Sequence, residues 1–194
     1  MFRINESTLV FLVIVLSAIA IAYIGLVSSP TIDEVGHLPA GCLIVEYGVF
    51  DLYEVNPPIA KVLSAIPVTI IRPNYDWSSY SNQPGARREW EVVRVFCAAN
   101  GEKTFEIFAI ARWSLLPLWI LGAVIVARWA SHYFGQLAGL TATILWSTTP
   151  DVMAWSATIC PDSIAATMGL ISWCWFRKWI CKTDSLNTLF CGFF

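Results

Sequence analysis

The chain has 194 residues, of which 57% are hydrophobic and only 13% are charged, and its formal net charge is −2. Soluble domains average about 25% charged residues, so this composition predicts a membrane protein. A slightly acidic chain also lacks the basic face that phosphate backbones require, which excludes nucleic acid as an expected partner.

A first membrane span is predicted at Leu9–Val27, where the chain carries no charged residue. At 1.5 Å per residue this run is long enough to cross a hydrocarbon core of about 30 Å. It is too long for the apolar core of a signal peptide, and Val27-Ser28-Ser29 is a poor cleavage site. We therefore predict an uncleaved helix with its N-terminus in the cytoplasm.

The long stretch that follows, up to the second predicted span, contains ten of the fourteen acidic residues and is predicted to lie outside the membrane. A helix is predicted to begin near Thr31, because Glu34 three residues later completes a capping box. Spacings of three and four residues put Asp33, Glu34, His37 and Gly41 on one helix face.

A second helix in this outer loop is predicted to begin at Pro57, with Asn56 as its cap. Its apolar residues form one stripe, which we expect to face lipid or the helix bundle while Lys61 faces water or a phosphate. The stripe consists of Ile59, Val62, Leu63 and Ile66. A third short helix is predicted at Ala86–Ala99, ending at Asn100-Gly101.

Three further spans are predicted at residues 107–127, 136–155 and 161–176. With four alternating helices, the cations after the second and fourth spans share the cytoplasmic side, as the positive-inside rule requires. The predicted fold is therefore an all-α, multi-pass membrane helix bundle of about four transmembrane helices, a single domain over 1–194, with amphipathic surface helices in the first outer loop.

Carboxylates at a membrane surface are costly and point to function. Asp33, Glu34 and Asp162 are candidates for a general base acting on a hydroxyl. Two alternatives are open: Glu34 as a helix cap, and Asp162 as an N-terminal charge on its helix dipole. Asp33 is the favoured base, because Thr31 and Glu34 already account for the cap.

No metal site is predicted. The Glu34-x-x-His37 spacing occurs in di-iron bundles, but such sites need two of these motifs. The six cysteines contain no CxxC pair, and we interpret them as small buried side chains, although a bridge between Cys42 and Cys97 is open. Lys61 and Arg112 would suit a phosphate, with snorkelling to lipid headgroups as the alternative.

Taken together, these features resemble the N-terminal part of polyprenyl-phosphate-dependent glycosyltransferases of the GT-C fold, which include the protein mannosyltransferases and the lipid A aminoarabinose transferases. The features that carry the resemblance are one span followed by Asp33-Glu34, a helix through Gly41 to Gly48, the run Asn56-Pro57-Pro58-Ile59-Ala60-Lys61, Arg112 at the start of a span, and Pro161-Asp162.

The resemblance implies transfer of a sugar, with inversion, from a polyprenyl-phosphate donor to an acceptor hydroxyl on the extracytoplasmic face, without a cofactor. Asp33 would be the catalytic base, and Asp162 and Glu34 would be further catalytic acids. His37, Asn56, Lys61 and Arg112 would bind substrate. The acceptor would be a lipid, glycan or protein, and the location a bacterial inner membrane. The relatives are longer, so the resemblance predicts a truncated part of a larger enzyme.

A non-catalytic membrane subunit, or a pseudoenzyme that binds lipid or a partner, is the alternative from another class. A small transporter fits less well, because the polar residues concentrate in one outer loop and not within the spans.

Overall fold

The computed structural model describes residues 5–78, 80 and 87–193, with Phe193 described by its backbone alone. Within these residues every regular element is an α-helix, which confirms the all-α prediction. The helices are α1 (Glu6–Val27), α2 (Glu34–Tyr47), α3 (Pro58–Ile71), α4 (Arg88–Asn100), α5 (Lys103–Trp113), α6 (Leu116–Phe134), α7 (Gln136–Thr148), α8 (Pro150–Ser156), α9 (Pro161–Cys181) and α10 (Ser185–Phe193).

The helices fall into two compact units. The first, called here the α2–α5 unit, comprises Ala20–Leu116 and Ala154–Pro161. The second, the α6–α10 unit, comprises the described residues up to Ile19, Pro117–Met153 and the chain from Asp162 onwards. The prediction of one membrane domain over 1–194 stays a prediction.

Two of the described helices are long and apolar enough to cross a membrane. They are Glu6–Val27, with a mean hydropathy of 2.9, and Lys103–Phe134, with a mean hydropathy of 1.9, which joins α5 and α6 through a turn at Ser114 and Leu115. They contain the first two predicted spans. The criterion is length and composition alone, so the four-helix count stays a prediction.

The third predicted span, 136–155, is not one continuous helix. α7 ends at Thr148, and Thr149 has an extended backbone with φ −65° and ψ 120°. The next residue is Pro150, whose ring disfavours helical geometry in the residue before it. The fourth predicted span lies within α9, which is 21 residues long and has Asp162 in its first turn and Lys178 in its last.

Helix α2 is buried on almost all sides from Gly36 to Leu43. The spacing predicts a helix with one polar face that carries His37. The side chains of His37, Leu38 and Cys42 are nevertheless all fully buried, because α2 packs against α3 and α4 at once. The helix also continues through Pro39. A helix with a single buried face is therefore a poor description of α2.

Helix α3 forms where the sequence predicted it, but its orientation is opposite to the expectation for Lys61. The apolar residues Ile59 and Ile66 are 52% and 43% exposed, whereas Lys61 is only 3% exposed. Asn56 is not the helix cap: it has φ 66°, and Pro57 takes the capping position with Pro58 in the first turn. The expectation that Lys61 faces water was wrong, because its ammonium group finds backbone carbonyls inside the fold.

Gly41 is where α2 and α3 approach most closely. A Cβ atom at this position would lie 2.1 Å from the carbonyl oxygen of Lys61 and 3.0 Å from the Cβ of Ala65. The helical spacing predicts that Gly41 shares a face with Asp33. The structure shows a different use of the missing side chain, which is to let two helix backbones meet.

Replacing Gly41 with alanine should lower the free energy of unfolding by about 1–3 kcal/mol, the usual cost of overpacking a core. The clash is with the α3 backbone, which cannot rotate away as a side chain can. Gly169→Ala is the matched control, because a Cβ there meets nothing within 4 Å and alanine favours a helix over glycine. Unfolding in mixed detergent micelles measures both variants. Equal stability of the two would contradict this account of Gly41.

In the α6–α10 unit, small residues bring α6 close to its neighbours. A Cβ at Gly122 would lie 2.7 Å both from the hydroxyl of Thr167 on α9 and from the ring of Trp146 on α7. Thr167 also donates a hydrogen bond to the carbonyl of Leu118, at 3.3 Å. Close backbone approach at small residues is the usual packing mode of helices in lipid.

Candidate functional site

A buried ion pair between Glu34 and Arg112 dominates the α2–α5 unit. The Nε atom of Arg112 donates to Oε1 of Glu34 at 2.7 Å, and its Nη2 donates to Oε2 at 2.8 Å. The two side chains are 1% and 2% exposed. This bidentate geometry is the strong form of a carboxylate–guanidinium contact.

The remaining donors of Arg112 bind the chain just after and at the end of α1. Its Nη1 donates to the carbonyls of Gly25 and Ser28 at 2.6 and 2.8 Å, and its Nη2 also donates to Ser29 at 3.1 Å. The last carbonyls of a helix have no partner within the helix. Arg112 therefore acts as the cap of α1, and all five of its N–H donors are used inside the protein.

Glu34 is the corresponding acceptor centre. Besides Arg112, its carboxylate accepts from the backbone N–H of Thr31 at 2.8 Å and of Ile159 at 2.8 Å. The Thr31 contact is the glutamate half of the predicted capping box. Glu34 thus joins the start of α2, the helix α5 and the segment around Ile159, which is far more than a cap.

These contacts set the protonation of Glu34. Burial alone would raise the pKa of its carboxyl. The hydrogen bonds from Arg112, Thr31 and Ile159, with the charge of Arg112, outweigh burial and lower that pKa below its ordinary value. Glu34 is therefore held as a carboxylate, which makes it an acceptor and a poor proton donor.

Asp33 differs from its neighbour Glu34 both in exposure and in the hydrogen bonds of its carboxylate. Its side chain is exposed, and its carboxylate makes no hydrogen bond or ion pair that the described residues reveal. Its backbone is nevertheless fixed, because its carbonyl accepts the N–H of His37 at 3.0 Å at the start of α2. The Asp33 carboxylate is therefore exposed on the protein surface, while its backbone is held by a hydrogen bond at the start of α2.

A second cluster joins His37, Tyr53 and Lys61. The imidazole of His37 is fully buried and lies edge-on to Tyr53, with ring centroids 5.1 Å apart. The ammonium group of Lys61 donates to the carbonyls of Tyr53 and Asn56 and lies 5.1 Å from the Tyr53 ring centroid. Burial lowers the pKa of Lys61.

Neither ring nitrogen of His37 has a hydrogen-bond partner within the described part of the chain. Burial first, and then the positive charge of Lys61, lower the pKa of His37 from 6.5 to about 4. The imidazole is therefore neutral at physiological pH. The negative charges of Asp33 and Glu34 oppose this lowering only in part, and neither carboxylate hydrogen-bonds to the imidazole.

This environment predicts an acid-sensitive step in stability. As pH falls from 6.5 towards 4, the unfolded chain binds a proton at His37 that the folded chain refuses, so folding weakens by up to about 3 kcal/mol. His37→Leu should remove that loss while leaving stability at pH 8 near the parent value. Equilibrium unfolding between pH 8 and pH 4.5 measures it, with the exposed His132→Leu as control. A parent and a His37→Leu variant with the same pH slope would contradict the burial argument.

An open depression of about 420 Å³ lies beside this cluster in the α2–α5 unit. Its lining includes Tyr53, Asn56 and Lys61, with the acidic residues Asp51 and Glu54. Two of the three predicted substrate-binding residues of the first outer loop, Asn56 and Lys61, are thus brought together. His37 lies behind Tyr53, and Asp33 is not among the residues that line the depression.

Asp162 belongs to the other unit. It is exposed in the first turn of α9, which agrees with the alternative role of a charge on the helix dipole. The predicted convergence of Asp33 and Asp162 on one cleft stays a prediction. In the described residues no group of three histidine, cysteine, aspartate or glutamate side chains could hold a metal ion.

Sequence reasoning missed the partnership of Glu34 with Arg112 and the contribution of Tyr53. One signal was available for the first: a lone arginine within an apolar run requires a partner, and a nearby carboxylate is the obvious one. The contacts to Gly25, Ser28, Ser29 and Ile159 use backbone atoms, and these leave no mark in the sequence.

A scan of the chain against protein-family models found no match, and searches of the curated proteins and of the solved structures found no similar protein. The family resemblance therefore remains a prediction from the motifs.

Proposed function

We propose that this chain acts in a membrane glycosyltransferase of the GT-C type, which transfers a sugar from a polyprenyl-phosphate donor to an acceptor hydroxyl outside the cytoplasm, with inversion. The observation that carries the proposal is the contrast between two adjacent carboxylates. Glu34 is wholly engaged in the structure, whereas Asp33 is exposed at the start of α2, six residues beyond the end of α1, which is long and apolar enough to cross a membrane.

The contrast supports Asp33 as the general base. A base must reach the proton it removes, and of these two carboxylates only that of Asp33 is accessible and not bound by other groups. It must also be held still, because misplacement by about 1 Å can cost 10²-fold in rate. The Glu34–Arg112 network supplies that support from the next residue along the chain.

Lys61 supports a phosphate contact at the depression that it lines with Asn56. Two of the three donors of its ammonium group bind carbonyls. The third would be available to an anion, and burial would strengthen that contact. Arg112 has all its donors engaged, so this proposal no longer relies on it for the phosphate.

The proposal places the α2–α5 unit at the outer surface of the membrane. Large apolar side chains on α1, among them Phe11 and Leu16, are more than 60% exposed, as they would be against lipid. The exposed residues Ile59, Ile66 and Ile70 of α3 would also lie against lipid. In this arrangement α7 to α9 provide the remaining crossings.

A non-catalytic membrane subunit is the second candidate. The full engagement of Glu34 and Arg112 favours it, because it turns two predicted site residues into structural ones. Such a subunit would still bind a polyprenyl phosphate at the depression lined by Lys61.

The discriminating experiment uses the protein from its natural reading frame, purified in detergent, with a radiolabelled polyprenyl-phosphate hexose. Release of labelled sugar to an acceptor or to water supports the transferase. Binding without release, in competition with the sugar-free polyprenyl phosphate, supports the non-catalytic subunit. Absence of binding by both lipids would overturn the proposal.

A further inference from the structure

Two depressions in the α6–α10 unit share an aromatic–basic stack in their walls. The stack consists of Trp129 and Tyr133 on α6 with Arg177 on α9. One depression has a volume of about 430 Å³ and the other about 540 Å³. All three residues of the stack line both of them.

The stack holds its cation in a defined position. The Nε atom of Arg177 donates to the hydroxyl of Tyr133 at 2.6 Å, and its guanidinium carbon lies 4.5 Å from the centroid of the same ring. Trp129 packs edge-on against Tyr133 at 5.7 Å. Lys178, the next residue, lies 4.2 Å from the ring centroid of Trp175.

The smaller depression is lined by basic residues. Three cationic residues line it, Arg128, Arg177 and Lys178, together with His132, and no carboxylate is among its lining residues. A concave surface with three positive charges attracts a negative group and repels cations. Guanidinium groups are also well suited to phosphate oxygens.

The larger depression is apolar. Apart from the shared stack, its walls are Val126, Ala130, Phe134 and Leu170. An anionic group in the smaller depression and an apolar chain in the larger one would be parts of one amphipathic molecule that straddles the stack.

The position of the stack along α6 indicates which kind of amphipathic molecule would bind. Tryptophan and tyrosine rings concentrate where a membrane helix meets the headgroups, and basic residues there attract acidic lipids. The two aromatic rings of the stack lie in the last turns of Lys103–Phe134, one of the two described helices that are long and apolar enough to cross a membrane. We propose that this surface binds one anionic phospholipid, with its phosphate on Arg128, Arg177 and Lys178 and one acyl chain along Val126, Ala130 and Leu170.

This inference rests on the membrane location proposed above but not on the transferase activity. Alkaline carbonate extraction of membranes tests the location separately. Release of the chain into the soluble fraction would overturn both proposals. Retention in the membrane without lipid selectivity would overturn this one alone.

The test is native mass spectrometry of the detergent-purified protein titrated with phosphatidylglycerol or with phosphatidylcholine of the same acyl chains. The parent should retain one phosphatidylglycerol in preference. Each interfacial cation contributes about 1 kcal/mol, so Arg177→Gln/Lys178→Gln should weaken its binding by roughly 10- to 30-fold. Arg177→Lys/Lys178→Arg keeps both charges and should keep most of the affinity.

The matched control is Arg72→Gln/Lys103→Gln, which removes the same charge from exposed positions in the other unit and should bind like the parent. Addition of millimolar inorganic phosphate distinguishes a site for a lipid headgroup from a site for free phosphate. Phosphatidylglycerol should stay bound to a lipid site, whereas a site for free phosphate would exchange it for inorganic phosphate. Equal retention of the two lipids, or undiminished binding by Arg177→Gln/Lys178→Gln, would overturn the proposal. The cations would then serve only the helix dipole.

Discussion

Replacing Glu34 with leucine should lower the free energy of unfolding by about 3–5 kcal/mol, the cost of removing one partner from a buried ion pair. Arg112 would keep its charge in a site where it is 2% exposed, with no counter-charge. The backbone N–H groups of Thr31 and Ile159 would lose their acceptor as well. Arg112→Leu should be similarly costly, because it strands the Glu34 carboxylate and the carbonyls at the end of α1.

The double variant Glu34→Leu/Arg112→Leu separates the interaction energy between Glu34 and Arg112 from their individual contributions to stability. It leaves no unpaired charge, so its loss should be much smaller than the sum of the single losses. Glu91→Gln is the control, because Glu91 forms an exposed pair with Arg94 that water and salt already screen. Unfolding in mixed detergent micelles measures all four. Losses that add to within about 0.5 kcal/mol would show that Glu34 and Arg112 act independently.

The pH dependence of the same pair has a definite sign. Since the folded protein lowers the pKa of Glu34, its contribution is fully present above the ordinary glutamate pKa and is lost as pH falls through the folded value. This loss begins only as pH falls below the ordinary glutamate pKa, whereas the His37 step begins near pH 6.5. The Glu34→Leu/Arg112→Leu variant should lack it.

Asp33→Asn should lower the rate of sugar transfer by about 10²- to 10⁴-fold, the usual contribution of a general base. Asparagine keeps the size of the side chain and removes its ability to take a proton. Because Asp33 is exposed and lies outside the buried network, the free energy of unfolding and the affinity for the lipid donor should stay near the parent values. Transfer and donor binding are therefore measured on the same preparation.

Two variants give this comparison its controls. Glu46→Gln removes an exposed carboxylate from the other end of α2 and should transfer sugar like the parent. Glu34→Gln should lose activity in proportion to its loss of folded protein. If Asp33→Asn transfers sugar at the parent rate, Asp33 is not the base and the resemblance loses its main support.

The helices themselves could be predicted from the sequence, because each depends on local features. The uncharged run in α1 and the proline at the start of α3 act on their own segments. The helix stop at Asn100-Gly101 also appears as predicted, with φ 55° at Gly101. The break between α7 and α8 has an equally local cause, because Pro150 disfavours helical geometry at Thr149.

The direction of side chains could not be predicted in the same way. Hydrophobic periodicity assigns one inside to each helix, yet α2 is enclosed by several neighbours and α3 turns Lys61 inward and Ile59 outward. In the membrane location proposed above, the outside of the protein is itself apolar, so an apolar stripe would not mark the core. The packing role of Gly41 could not be predicted from the sequence either, because Gly41 contacts the backbone of another helix.

The sequence by itself therefore determined that this is an apolar, all-helical chain with a carboxylate pair directly after its first long helix. Only the tertiary structure decided which member of that pair is free. Glu34 is bound because Arg112, 78 residues later, can reach it and can also cap α1, and the low dielectric of the interior makes that contact strong. Asp33 is left exposed because consecutive residues at a helix start point in different directions, and just one of them faces the guanidinium.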